Sequence, residues 1–159
     1  MGNSDSAKIR RIAILPGSFD PFTIGHESLV SRGLELVDEI VIAIGVNNTK
    51  QTYFTAEQRL AMISELYKNN QAVRVESYSS LTVDFAKEVG AKFVLRGVRT
   101  VSDFEYERTI ADMNRAISGV DTIVLFTEPS LSHVSSSLVR ELLKYNHDIT
   151  HFIPKRMKI

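Results

Sequence analysis

The sequence predicts an α/β protein built on a doubly wound, five-stranded parallel sheet, and three observations predict it. Short β-branched runs alternate with longer segments of helical periodicity along the whole chain. Most of those runs are almost continuously apolar, as parallel strands are when helices cover both faces. The chain has 159 residues and no repeat, low-complexity tract or linker that would divide it, so a flexible tail over 1–10 and a single domain over 11–159 are expected.

The elements follow in order. Strands are predicted at 11–15, 39–46, 73–77, 93–96 and 122–126. In the first helix His26, Leu29, Val30, Gly33, Leu34 and Val37 share one stripe. The second begins at Thr55, which forms a capping-box pattern with Gln58, and runs to about 68. The third covers 82–89, with Gly90 placed to stop it. Ser102 and Glu105 suggest a capping box for the fourth, which ends near Gly119; the fifth starts within 135–137 and reaches Lys144. In such sheets ligands bind beyond the carboxyl ends of the strands, where strand order reverses. Functional residues are therefore expected just after each strand.

Composition narrows the chemistry. There is no cysteine, which removes thiol catalysis, Cys-ligated zinc and disulfides and suits a reducing, cytoplasmic location. Nineteen basic residues balance nineteen acidic ones, against the basic excess of a nucleic-acid surface. No apolar run approaches the roughly 18 residues of a membrane-spanning helix. The opening Met1-Gly2-Asn3-Ser4-Asp5-Ser6 lacks the apolar core of a secretory signal. Gly2 and Ser6 match the loose myristoylation pattern, but an unmodified tail is the expectation.

Four segments could carry chemistry. After the first predicted strand comes Pro16-Gly17-Ser18-Phe19-Asp20-Pro21-Phe22-Thr23-Ile24-Gly25-His26. Its glycines and prolines shape a sharp loop into a helix start, where free N–H groups and the positive dipole end favour phosphate. An isolated His26 would more often fill the helix stripe; the surrounding string is what favours a role in a site. Neither the dinucleotide glycine fingerprint nor a Walker lysine motif is present. Lys50 follows the second strand in a polar loop, where lysines are ordinarily just solvated. Arg96 and Arg99 flank Gly97 at the end of the fourth strand. They could grip two anionic groups, or they could pair with Asp103 or Glu107. Ser135-Ser136-Ser137 opens the last helix; capping needs one hydroxyl, and three suggest an anion seat.

Ser18-Phe19-Asp20-Pro21 with Thr23-Ile24-Gly25-His26 resembles the first motif of the nucleotidyltransferases, in its Thr-x-Gly-His form. Adding the Lys50 loop, Arg96-Gly97-Val98-Arg99, Asp103-Phe104-Glu105-Tyr106-Glu107, Met113-Asn114-Arg115, Ser135-Ser136-Ser137-Leu138-Val139 and Asp148-Ile149-Thr150-His151-Phe152-Ile153-Pro154 gives the order seen in the bacterial phosphopantetheine adenylyltransferase family. This resemblance extends from Ile12 to Pro154. It implies a Rossmann-like nucleotidyltransferase fold and reversible transfer of the adenylyl group of ATP to 4′-phosphopantetheine, giving dephospho-coenzyme A and pyrophosphate. It implies that Ser18, Lys50, Thr82 and Arg96 hold the acceptor. It implies that Ser18, Phe19, His26, Gly97, Val98, Arg99, Glu107, Leu131, Ser132, His133, Val134, Ser135, Ser136 and Ser137 hold ATP, with His26 catalytic. Mg²⁺ would come with the ATP, no protein metal site is expected, and a homohexamer is implied. Ser18 stands where the family usually has Thr, Leu131 where an aromatic is usual, and Thr82 at a position often apolar. Two other readings remain: a related adenylyl- or cytidylyltransferase with another phosphate-bearing acceptor, and a catalytically silent nucleotide sensor.

Overall fold

A computed structural model describes residues 9–47 and 49–159. The predicted alternation is present: β1 (Ile12–Gly17), α1 (Ile24–Gly33), β2 (Glu39–Gly45), α2 (Ala56–Tyr67), β3 (Val73–Tyr78), α3 (Thr82–Glu88), β4 (Phe93–Val98), α4 (Val101–Ser118), β5 (Asp121–Phe126) and α5 (Ser136–Lys144). The strands form one parallel sheet in the order β3-β2-β1-β4-β5. Its two faces bury separate apolar clusters. Leu15, Ile40, Ile42, Ile44, Leu95, Ile63 and Val139 belong to one, and Ile14, Val41, Ala43, Val94, Val83 and Phe85 to the other. Strand neighbours in sequence alternate between the two, which is why the runs read as continuously apolar.

Strand order reverses between β1 and β4, and the ladder there is short. β1 pairs with β2 through six residues, Ile12 to Gly17, but with β4 only at Ala13–Phe93 and Ile14–Val94. Past Ile14 these two strands share no further ladder pair, opening a crevice at their carboxyl ends. The residues that follow β1, β2 and β4 line it.

Several boundaries differ from expectation. β1, β3 and β4 run one or two residues longer than predicted, and β2 ends at Gly45 rather than 46. Val37 lies beyond the end of α1, though it is still buried. The capping box of α4 is Thr100 with Asp103, not Ser102 with Glu105. Thr100 is extended (φ −127°, ψ 163°) and its Oγ1 accepts the Asp103 N–H at 3.0 Å, whereas Ser102 is already helical. Gly119 ends the helix at φ 73°, as expected of a left-handed cap. Residues 1–8 of the expected tail, with the Gly2–Ser6 pattern, lie outside the described residues. Arg10 is anchored, pairing with the buried Glu39 at 3.1 Å. Among the described residues no helix is long and apolar enough to cross a membrane.

Candidate active site

The turn out of β1 is tightly specified. Phe19 takes a left-handed φ of 48°, and its ring lies over Gly17, where a Cβ would come within 2.9 Å of it. The Asp20–Pro21 bond is cis. Asp20, only 4% exposed, accepts hydrogen bonds from the Tyr53 and Phe54 N–H groups at 2.7 and 2.8 Å. Arg59 of α2, equally buried, donates to the Ser18 carbonyl. Arg140 of α5 donates to the Asp20 carbonyl at 2.8 Å. Three distant elements thus clamp one six-residue turn, and the loop carrying Lys50 is tied to it.

Thr23 caps α1 and His26 is its third residue. His26 Nδ1 accepts the Thr23 N–H at 3.0 Å and lies 3.1 Å from Thr23 Oγ1. With Nδ1 acting as acceptor from a backbone donor, the proton of the neutral ring sits on Nε2. Phe19 and Phe22 flank the imidazole at centroid distances of 5.0 and 5.2 Å. Burial, followed by the charges of Arg96 and Arg99, pushes its pKa down to about 4. At neutral pH His26 is therefore an uncharged Nε2–H donor.

His26 lines a cavity of about 560 Å³ together with Gly97, Arg99, Thr127, Ser135 and Ser136. Each serine hydroxyl at the start of α5 has a structural task. Ser135 Oγ accepts the Leu138 N–H at 3.1 Å, Ser136 Oγ donates to the Pro21 carbonyl at 2.8 Å, and Ser137 Oγ accepts from Arg140 at 3.1 Å. Ser135, which lines the cavity, only accepts in its bond and keeps an O–H to donate, so the run offers an anion that hydroxyl besides the backbone N–H groups and positive dipole end of α5. Gly97 also lines this cavity, but a Cβ there would meet Leu29 at 2.8 Å. Its lack of a side chain serves the close packing of α1 on β4.

A second cavity of about 330 Å³ lies alongside, lined by Ser18, Tyr78, Thr82, Arg96 and Met113 among others. Lys50 Nζ reaches Ser18 Oγ at 3.3 Å from the edge of this lobe. Glu107 and Tyr106 line both cavities. Glu107, 7% exposed, receives Arg96 side-on through Nε at 2.9 Å and Nη2 at 2.6 Å, while Arg96 Nη1 donates to the Pro16 carbonyl at 2.8 Å. The two readings of the arginines thus combine: Arg96 is paired and also faces the second lobe with N–H groups to spare. Arg99 is looser, 3.7 Å from Asp103, and reaches the first lobe.

Most of the predicted site residues come together here. Val98 is buried in the sheet, and the Phe19 ring packs in the core. Val134 lines the larger cavity, but its three predecessors do not. Leu131 ends a short 3₁₀ turn and lines a groove against Glu27, Ser28 and Glu128 of the neighbouring surface. Ser132 Oγ donates to the Pro129 carbonyl at 3.0 Å, and the His133 ring meets Phe152 edge-on at 6.2 Å. The sequence reading did not assign roles to Asp20, Arg59, Arg140, Tyr78 or Tyr106. Asp20 and Tyr106 stood in quoted motifs; the other three had no local signal. Among the described residues no group of three or more His, Asp or Glu side chains could hold a metal ion.

The chain is similar to known proteins along most of its length. The cytidylyltransferase-like family model matches residues 14–142. A phosphopantetheine adenylyltransferase of Bacteroides thetaiotaomicron is 60% identical over 149 residues, covering 94% of this chain and 99% of that protein. Its namesakes from Bacteroides fragilis and Porphyromonas gingivalis are 59% and 50% identical, with 94% and 92% of this chain covered and 99% and 95% of theirs. Among solved structures, a bifunctional NMN adenylyltransferase/ADP ribose pyrophosphatase from Francisella tularensis, complexed with AMP and a manganese ion, superposes with a TM-score of 0.67. At 16% identity it shares the fold alone; the match covers 91% of this chain and 44% of that longer one.

Proposed function

The chain belongs to the cytidylyltransferase-like family and, within it, to the phosphopantetheine adenylyltransferases, and from that membership we infer that it transfers the adenylyl group of ATP to 4′-phosphopantetheine. The products are dephospho-coenzyme A and pyrophosphate. The observation that carries this reading is the pair of adjoining lobes divided by Arg96–Glu107, one rich in anion donors and one narrower and more apolar.

The larger lobe is assigned to ATP. Arg99 and the start of α5 face the β- and γ-phosphates there, and His26 faces the α-phosphate. Ser18, Lys50 and Arg96 hold the acceptor phosphate in the smaller lobe, where their positive charge offsets repulsion between two anions. An acceptor phosphate oxygen then attacks the α-phosphorus in line. A new P–O bond forms as the bond to the β-phosphate breaks, and its electron pair leaves with pyrophosphate. No enzyme nucleophile is needed, which suits a chain without cysteine. The neutral His26 Nε2–H bonds the α-phosphate oxygen as charge accumulates on it, and a ring that is not protonated at neutral pH delivers that bond without a proton transfer.

Mg²⁺ enters as part of the MgATP substrate, coordinated mainly by the phosphates. A homohexamer in the cytoplasm is part of the same proposal. Exposed apolar side chains on α4 and β5, notably Met113, Ile117 and Phe126, support self-association, and the use of ATP supports the location. The test is release of pyrophosphate from MgATP with 4′-phosphopantetheine, nicotinate mononucleotide or glycerol 3-phosphate as acceptor. Turnover with 4′-phosphopantetheine is expected; turnover only with another acceptor would reassign the smaller lobe, and none with any would leave a nucleotide sensor.

A further inference from the structure

Lys50 reaches Ser18 from the loop between β2 and α2, and the two ends of that loop are held differently. At the upstream end the Val46 N–H bonds the Tyr78 carbonyl at 2.8 Å, extending the pairing of β2 with β3. At the downstream end residues 53–55 are gripped on both edges. The Asp20 carboxylate accepts the Tyr53 and Phe54 N–H groups at 2.7 and 2.8 Å. Arg59 Nε donates to the Phe54 and Thr55 carbonyls at 3.2 and 3.3 Å. Between these ends, among the described residues, the loop's hydrogen bonds are a local turn on Asn47 and the reach of Lys50 Nζ to Ser18 Oγ.

The same guanidinium holds the other side of that contact. Arg59 Nη1 donates to the Ser18 carbonyl, so one side chain grips both the residue that meets Lys50 and the segment into which the Lys50 loop runs. Arg59 is 3% exposed, and all three of its acceptors are neutral carbonyls. Taking a guanidinium out of water without a bonded carboxylate is costly, and apolar side chains of similar size often stabilise a core at least as well. Packing alone therefore does not account for an arginine here. A fork that spans carbonyls from two separate segments does.

We propose that Arg59 is a positioning residue for the acceptor phosphate: it sets the placement of Lys50 against Ser18, and through it the affinity for the acceptor but not for ATP. Lys50 and Ser18 can present a charge and a hydroxyl to one phosphate only when the turn and the loop are in register, and Arg59 fixes that register. Neither Arg59 nor the anchored segment 53–55 lines the larger lobe. The inference rests on the phosphopantetheine reading of the smaller lobe.

Initial-rate kinetics of pyrophosphate release from MgATP and 4′-phosphopantetheine test it. Arg59→Lys keeps the charge and loses the fork. It is expected to raise KM for 4′-phosphopantetheine about tenfold, the scale of one weakened charge-assisted bond, with KM for ATP and kcat within about twofold. Lys50→Ala should raise the same KM at least as far. Adding Arg59→Lys to Lys50→Ala should cost less than a further factor of about two, because the arginine acts through the lysine. Asp20→Asn loosens the same segment from its N–H side and should repeat the pattern; it decides the question if Arg59→Lys does not fold. A purely structural role would raise both KM values together, or add its full effect to that of Lys50→Ala. Either result, or an unchanged KM for the acceptor, would overturn the inference and leave the acceptor assignment standing. No turnover of 4′-phosphopantetheine by the unsubstituted chain would overturn that assignment and this inference with it.

Discussion

The two lobes on either side of Arg96–Glu107 differ in how they are made. The larger one is walled by groups whose placement is largely local: a histidine whose Nδ1 accepts the N–H of Thr23 three residues earlier, and the start of α5 capped by Ser135. The smaller one is assembled at long range. Lys50 meets Ser18 across 32 positions, and its loop is held by Asp20 across 33 and 34. One lobe presents fixed donors to a highly charged ligand; the other combines a phosphate end with an apolar, hydroxyl-bearing end. The contrast teaches that charge can be recognised with local motifs, whereas an acceptor's shape needs the tertiary structure.

Removing His26 breaks the comparison most severely. His26→Ala should lower kcat on the order of 10²–10³-fold, the scale of one lost oxyanion donor, with KM for ATP nearly unchanged. Steady-state pyrophosphate release checks this. Next in size is the divider. Glu107→Gln should destabilise the fold by about 1–3 kcal/mol, because it leaves Arg96 without its charge partner in a half-buried wall. It should raise KM for ATP and for the acceptor together; thermal unfolding and kinetics on each substrate test it.

The pH response comes third. The pKa of His26 is lowered to about 4 in the folded chain, against an ordinary value near 6.5. Between those values the unfolded chain binds a proton that the folded chain refuses, so His26 makes stability fall as pH drops from 6.5 towards 4. A His26→Gln variant should lose that part of the acid sensitivity. Nitrogen-15 NMR of the unsubstituted protein should show an Nε2–H tautomer that does not titrate above pH 5. The smallest effect is at Leu131, which faces the groove beside Glu128 and not the larger lobe. Leu131→Ala should change KM for ATP less than about twofold, within the range of a surface substitution away from the site.

Much of this was legible in the sequence for identifiable reasons. Strands buried on both faces announce themselves as unbroken β-branched runs, and Thr-x-Gly-His combines a cap with the residue it orients. The start of α4 was not legible because two capping boxes overlap there. Thr100 with Asp103 and Ser102 with Glu105 have the same spacing, and the end of β4 decides between them. The three separate structural bonds that the serines make were not legible in the run, because their partners are set by the tertiary structure and the helix start. Arg59 and Arg140 left no trace because their partners, Ser18 and Asp20, lie 41 and 120 residues away. Nothing local marks an arginine that grips a distant carbonyl.

Direct displacement at a shared boundary between the lobes fixes one stereochemical result. An adenosine triphosphate bearing one sulfur at the α-phosphorus, in a single configuration, is supplied with Mg²⁺ and 4′-phosphopantetheine, and the configuration of the dephospho-coenzyme A product is determined. One in-line attack predicts inversion; retention would demand a covalent enzyme intermediate and contradict the account.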